Sequence, residues 1–121
     1  MRSSALRILA LGAAVSALVL GLLLAGEEEP PYVVTAIDYH FHDAHPTFPI
    51  GPGRDLVIKN AGRNRHNVTI PALDRSVDVA PEGQLVIEDV AARFGRPGRY
   101  PFVCLIHEDR GMTGTIVIAD G

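Results

Sequence analysis

Beyond residue 26, Gly and Pro recur so often that the chain is cut into short apolar runs, and none of them carries a sustained helical period. Breakers stand at Pro46, Pro49, Gly51, Pro52 and Gly53, at residues 60–62, at Pro71, at 81–83, at 95–98 and at 111–114. The intervening runs read as strands at 32–39, 55–59, 66–70, 84–90, 99–104 and 115–119, with a weaker one at 76–79. Six or seven strands in about 95 residues predict an all-β fold, an antiparallel sandwich or barrel. Residues 40–49 are the least strand-like and read as a loop; 91–94 reads as one helical turn.

The first 26 residues obey a different rule. Arg2 and Arg7 precede an 18-residue stretch, 8–25, interrupted only by Gly12, Ser16 and Gly21. A secretory signal has an apolar stretch of roughly 7–15 residues, and a spanning helix wants about 20. Small-x-small cleavage is poorly served, because Leu23 or Leu24 would stand at the −3 position. An uncleaved N-terminal anchor is therefore favoured over a cleaved signal. The arginines before the run and the acids at 27–29 after it predict a domain on the outer, or periplasmic, side of a cell membrane. Cleavage would instead release it as a secreted or periplasmic protein. Residues 27–31, three acids and two prolines, form a short stiff linker. The folded domain is expected at 32–121.

Composition removes several classes. One Cys permits no internal disulfide, no CxxC redox pair and no multi-Cys zinc finger. Without Arg2 and Arg7 the chain holds nine basic side chains against fourteen acidic ones, the wrong balance for a nucleic-acid binder.

The chemistry concentrates at residues 100–112, which hold that Cys and the only Met besides the initiator in a C-x2-H-x4-M spacing. If 99–104 is a strand, Tyr100, Phe102 and Cys104 share one face, and the thiol emerges at the inner end of a buried strand. The following loop can return His107 and Met112 towards the same point. Thiolate, imidazole and thioether are soft or borderline donors that favour copper over magnesium, calcium or manganese. A second imidazole would complete a His2Cys set with a weak axial Met, and His66, 38 residues before Cys104, is the obvious candidate. Singly, each of these residues is more often structural, Cys104 and Met112 as core fillers. Their joint order and spacing set that aside.

The segment from Asn60 to His66 and Asn67, with the Tyr-x-Phe-x-Cys-x-x-His-x-x-x-Gly-Met run ending at Met112, resembles the cupredoxins, specifically the small plastocyanin-like blue copper proteins. The resemblance implies a Greek-key β-sandwich with one type 1 copper near one end. It implies His66, Cys104 and His107 as strong ligands, Met112 as the axial one, and Asn67 tying the two ligand loops together. It further implies a single-electron carrier, not an enzyme, exchanging electrons with redox partner proteins through the edge of His107. A monomer is expected. Leu105 and Ile106 are expected to lower the dielectric around the metal.

His40, His42 and His45, with Asp43, admit a second, weaker metal site. A solvated loop whose imidazoles bond backbone is the plainer reading. Such a site would suit the competing function, a copper chaperone or tolerance protein with no electron-shuttle role. Arg63, Arg65 and Arg110 stand near the ligand loops beside Glu108 and Asp109, and read as a mixed solvated surface before a basic docking rim. Multicopper enzymes need further His-rich centres and more domains than this chain supplies.

Overall fold

In a computed structural model, residues 29–44 and 48–120 are described. The apolar segment at 8–25, the linker residues 27–28 and His45 lie outside them. Among the described residues no helix is long and apolar enough to cross a membrane.

Among the described residues, eight strands follow one another: β1 (Tyr32–Ile37), β2 (His40–His42), β3 (Leu56–Asn60), β4 (His66–Ile70), β5 (Arg75–Val79), β6 (Gln84–Ile87), β7 (Gly98–Val103) and β8 (Thr113–Ile118). Among the same residues a short helix, α1 (Val90–Phe94), and two 3-10 turns, Pro71–Leu73 and Glu108–Arg110, interrupt them. The strands form two four-stranded sheets, ordered β2-β1-β3-β6 and β5-β4-β7-β8. The sandwich expected from the breaker spacing is therefore present.

Alternation builds the core. β6 and β8 bury every second residue, so each sheet has an apolar inner face and a polar outer one. Val34, Ala36, Leu56 and Ile58 from one sheet meet Val68, Ile70, Phe102, Ile116 and Ile118 from the other. Phe41 and Phe102 join the two layers, their ring centroids 4.7 Å apart at 56°. A tilted aromatic pair of this kind contributes about 0.5–1.5 kcal/mol beyond its area burial.

Three expectations are corrected. The start of the 40–49 loop is a strand, because Phe41 turns inward between two exposed histidines and thereby acquires the strand alternation. The sheets are not purely antiparallel: β1 and β3 pair in parallel, Tyr32 opposite Leu56 through Ala36 opposite Asn60. The β2 hairpin reverses the chain, and the connection from His42 to Leu56 brings it back to enter β3 in the direction of β1. Finally, the strand foreseen at 84–90 stops at Ile87. Asp89 adopts φ 41°, and Val90 becomes the buried first residue of α1.

β7 pairs along its length with β8, but meets β4 only where Thr69 faces Val103. Pro101, which has no backbone donor, thus lies where one side of β7 has no ladder to break.

Candidate metal centre

The site forms where β4 begins and β7 ends. His66 is the first residue of β4 and Cys104 directly follows β7, and both are fully buried. Cys104 is carried inward by the period that also buries Phe102. After it the chain turns on its own hydrogen bonds: the N–H of His107 donates to the carbonyl of Cys104 (3.2 Å), that of Met112 to the carbonyl of His107 (3.4 Å), and that of Cys104 to the carbonyl of Met112 (3.0 Å). Gly111 closes the 3-10 turn at φ 75°, a left-handed conformation that side-chain-bearing residues rarely adopt. Met112 enters the core completely buried.

Three ligand-type side chains converge as a result. Nδ1 of His66 lies 3.2 Å from Nδ1 of His107, and that same His107 atom lies 3.6 Å from Cys104 Sγ. One ligand atom from each of the three falls within 4.8 Å of the others. Atoms sharing one metal at bonds of about 2.0–2.3 Å stand roughly 3–4 Å from each other, so the donors fit a common ion. Two imidazoles and a thiol are the donor set for copper or zinc, not for magnesium or calcium. Among the described residues, this is the only group of three or more His, Cys, Asp or Glu side chains so arranged.

The surrounding hydrogen bonds hold the donors in place. The N–H of Asn67 donates to Cys104 Sγ (3.2 Å), and Asn67 Oδ1 accepts from the N–H of Leu105 (3.3 Å) and the hydroxyl of Thr69 (2.6 Å). Its Nδ2 donates to Asp78 (2.9 Å) and Ser76 (3.1 Å). Asn67 thus ties the two ligand loops, as the resemblance implied. Asn60, also buried, braces the loop ahead of His66: its Nδ2 donates to the carbonyls of Asn64 and Val79, and its Oδ1 accepts from the N–H of Gly62.

A family model for the cupredoxin-like domain matches residues 7–118. The chain belongs to the cupredoxin-like family. No curated protein sequence matches it. Among solved structures, this cupredoxin is similar to oxidised plastocyanin from Dryopteris crassirhizoma (TM-score 0.58, 16% identity, 73% of this chain and 100% of that one). It is also similar to the oxidised state of a point mutant of amicyanin (TM-score 0.56, 19% identity, 74% and 82%). A copper-containing nitrite reductase from Thermus scotoductus SA-01 shares the fold over 75% of this chain and 23% of its own (TM-score 0.57, 19% identity).

The cupredoxin adds one residue that sequence reasoning missed. Asp38, in the turn between β1 and β2, places Oδ1 2.8 Å from Nε2 of His66. Its Oδ2 accepts from the N–H of Arg63 (3.0 Å) and from Asn64 Nδ2 (3.1 Å). The Arg63 N–H, with the His66 and Asn64 bonds behind it, holds the Asp38 carboxyl below the ordinary carboxylate range against an opposing desolvation. The next residue, Tyr39, packs edge-on against the half-buried His107 at 4.8 Å, and the Arg110 guanidinium lies 4.3 Å from the centre of the Tyr39 ring. One turn therefore touches both imidazoles. An Asp in a short turn is commonplace in sequence, and no spacing rule would have found it.

Two other expectations fare differently. Leu105 and Ile106 do not shield the centre: they are 54% and 48% exposed, because the turn after Cys104 points them to solvent. His40 and His42 stand away from the three converging donors, exposed on β2 with ring centroids 6.2 Å apart, and His42 Nε2 lies 3.7 Å from Asp43 Oδ2. Arg65 is near Asp78 at 3.9 Å, which leaves the basic residues in a mixed surface.

Proposed function

We propose that this cupredoxin is a type 1 copper protein that carries single electrons between redox partner proteins and transforms no substrate. The observation that carries the reading is the meeting of two imidazole nitrogens and one thiol sulfur at 3.2 and 3.6 Å, with His66 and Cys104 fully buried. His66, Cys104 and His107 would hold the ion, and Met112 would add a weak thioether donor. Copper, when bound, supplies the one-electron couple.

What the chain contributes is constancy. Cys104 would hold the ion through its sulfur, and the Asn67 N–H, donating to that sulfur, would steady the negative charge of a thiolate ligand. The three main-chain bonds among residues 104, 107 and 112 fix the loop, so the donors shift little as the charge of the site changes. Of the three converging side chains, only the ring of His107 reaches solvent, and it offers a partner the short way in. Plastocyanin and amicyanin structures with the same fold support a carrier over an enzyme. Export with an uncleaved tether is supported by the apolar residues 8–25 flanked by Arg2, Arg7 and the acids at 27–29. A copper-handling role has one observation in its favour, the exposed pair His40 and His42 on β2.

Visible and EPR spectra of the copper-loaded protein test this. The expected outcome is an intense thiolate-to-copper band with narrow copper hyperfine splitting, abolished in Cys104→Ser. A colourless protein with an ordinary tetragonal Cu(II) signal, lost instead in His40→Ala/His42→Ala, would hand the function to copper handling.

A further inference from the structure

We propose that Asp38 is a positioning residue that fixes which nitrogen of His66 faces the metal and biases the site towards oxidised copper. The proposal deepens the type 1 copper reading and rests on it.

An imidazole can bind metal only through a nitrogen that lacks a proton, and the partner of its other nitrogen decides which one that is. His66 has no exposed surface, so no solvent competes for that decision. Nε2 faces Asp38 Oδ1 at 2.8 Å, and an ionised carboxylate can only accept. The proton therefore sits on Nε2, and Nδ1 presents a lone pair towards His107 and Cys104. The carboxylate is itself held: Oδ2 takes two donors, the Arg63 N–H and Asn64 Nδ2, while Oδ1 is left for the histidine. Gly62 closes the arrangement, since a Cβ there would overlap Oδ1 and crowd His66 Nε2.

Two effects follow. The imidazole is oriented before metal arrives. A negative charge one ring away also stabilises the doubly charged ion more than the singly charged one.

Asp38→Asn separates these effects from mere packing, because it preserves shape. The amide must satisfy two donors where Oδ2 stood, so its oxygen turns to Arg63 and Asn64 and its NH2 faces His66 Nε2. That reverses the histidine, placing the proton on Nδ1. In apo protein, 15N-resolved NMR should show His66 with the proton on Nε2 in the wild type and on Nδ1 in Asp38→Asn. In copper-loaded protein, the variant should lose about tenfold in Cu(II) affinity relative to Cu(I), a rise in reduction potential of about 59 mV for a one-electron couple. Gly62→Ala keeps the charge but parts the pair, and should shift the tautomer and the potential in the same directions. It serves if the Asn variant does not fold. A wild-type tautomer together with an unchanged potential in the folded variants would overturn the proposal. Because the NMR readout needs no metal, a wild type that gives no blue copper spectrum while Asp38→Asn still reverses the tautomer would sink the copper reading and leave the positioning role standing.

Discussion

Asn67 carries more of this site than its place outside the donor set suggests. Its main-chain N–H serves the sulfur, while its side chain makes four hydrogen bonds to groups on three sides of it, and the residue is only 6% exposed. These duties are separable by mutation. Asn67→Ala removes the acceptor of the Leu105 N–H, while the Thr69 hydroxyl keeps Ser76 Oγ at 2.7 Å, and leaving the one partly buried donor unpaired costs about 1–3 kcal/mol. The expected result is a lower urea midpoint for the apo protein at unchanged m-value. The copper-thiolate band should persist, because the bond to Cys104 Sγ comes from the backbone. Loss of the band at full copper loading would show that the side chain, by holding Leu105, also sets the position of its neighbour Cys104.

At the scale of the elements, β8 leaves no room beside Gly114. Gly114 faces Phe102 in register across the β7–β8 ladder, and the Phe102 ring lies where a Cβ on Gly114 would be, with the Ala44 methyl beside it. Gly114→Ala must therefore displace an aromatic ring wedged between two sheets, and overpacking of this kind costs about 1–3 kcal/mol. Thermal unfolding of the apo variant should register that loss. Much at this scale was legible beforehand: the period of two in β7 assigns Phe102 and Cys104 to the core, and the C-x2-H-x4-M spacing marks the donors on the loop. The misreadings share a physical cause. β2 is three residues with one apolar side chain, too short for periodicity to speak. The parallel pairing of β1 and β3 is decided by where a long connection returns the chain, which local patterns do not encode. Asp38 reaches His66 across 28 positions, through a turn whose composition has no mark of a site.

At the scale of the whole molecule, metal binding and stability are one equilibrium. The donors come from positions 66 to 112 and meet only in the folded sandwich, so copper binds the native state in preference to the unfolded chain and adds its binding energy there. At free copper a thousandfold above its dissociation constant, linkage gives about 4 kcal/mol. For a domain of this size that is a rise of roughly 15–30 °C in Tm, and scanning calorimetry before and after chelation should show it. A shift of only a few degrees at that loading would mean that the ion also binds the unfolded chain. The loop from Cys104 to Met112 has a consequence of another kind. Three of the four expected ligands sit within nine consecutive residues whose ends are joined by a main-chain hydrogen bond, while the rest of the sandwich supplies His66 alone. Inheritance can therefore revise the chemistry of this protein by lengthening or trimming one brief stretch of its gene, leaving the architecture that carries it unedited.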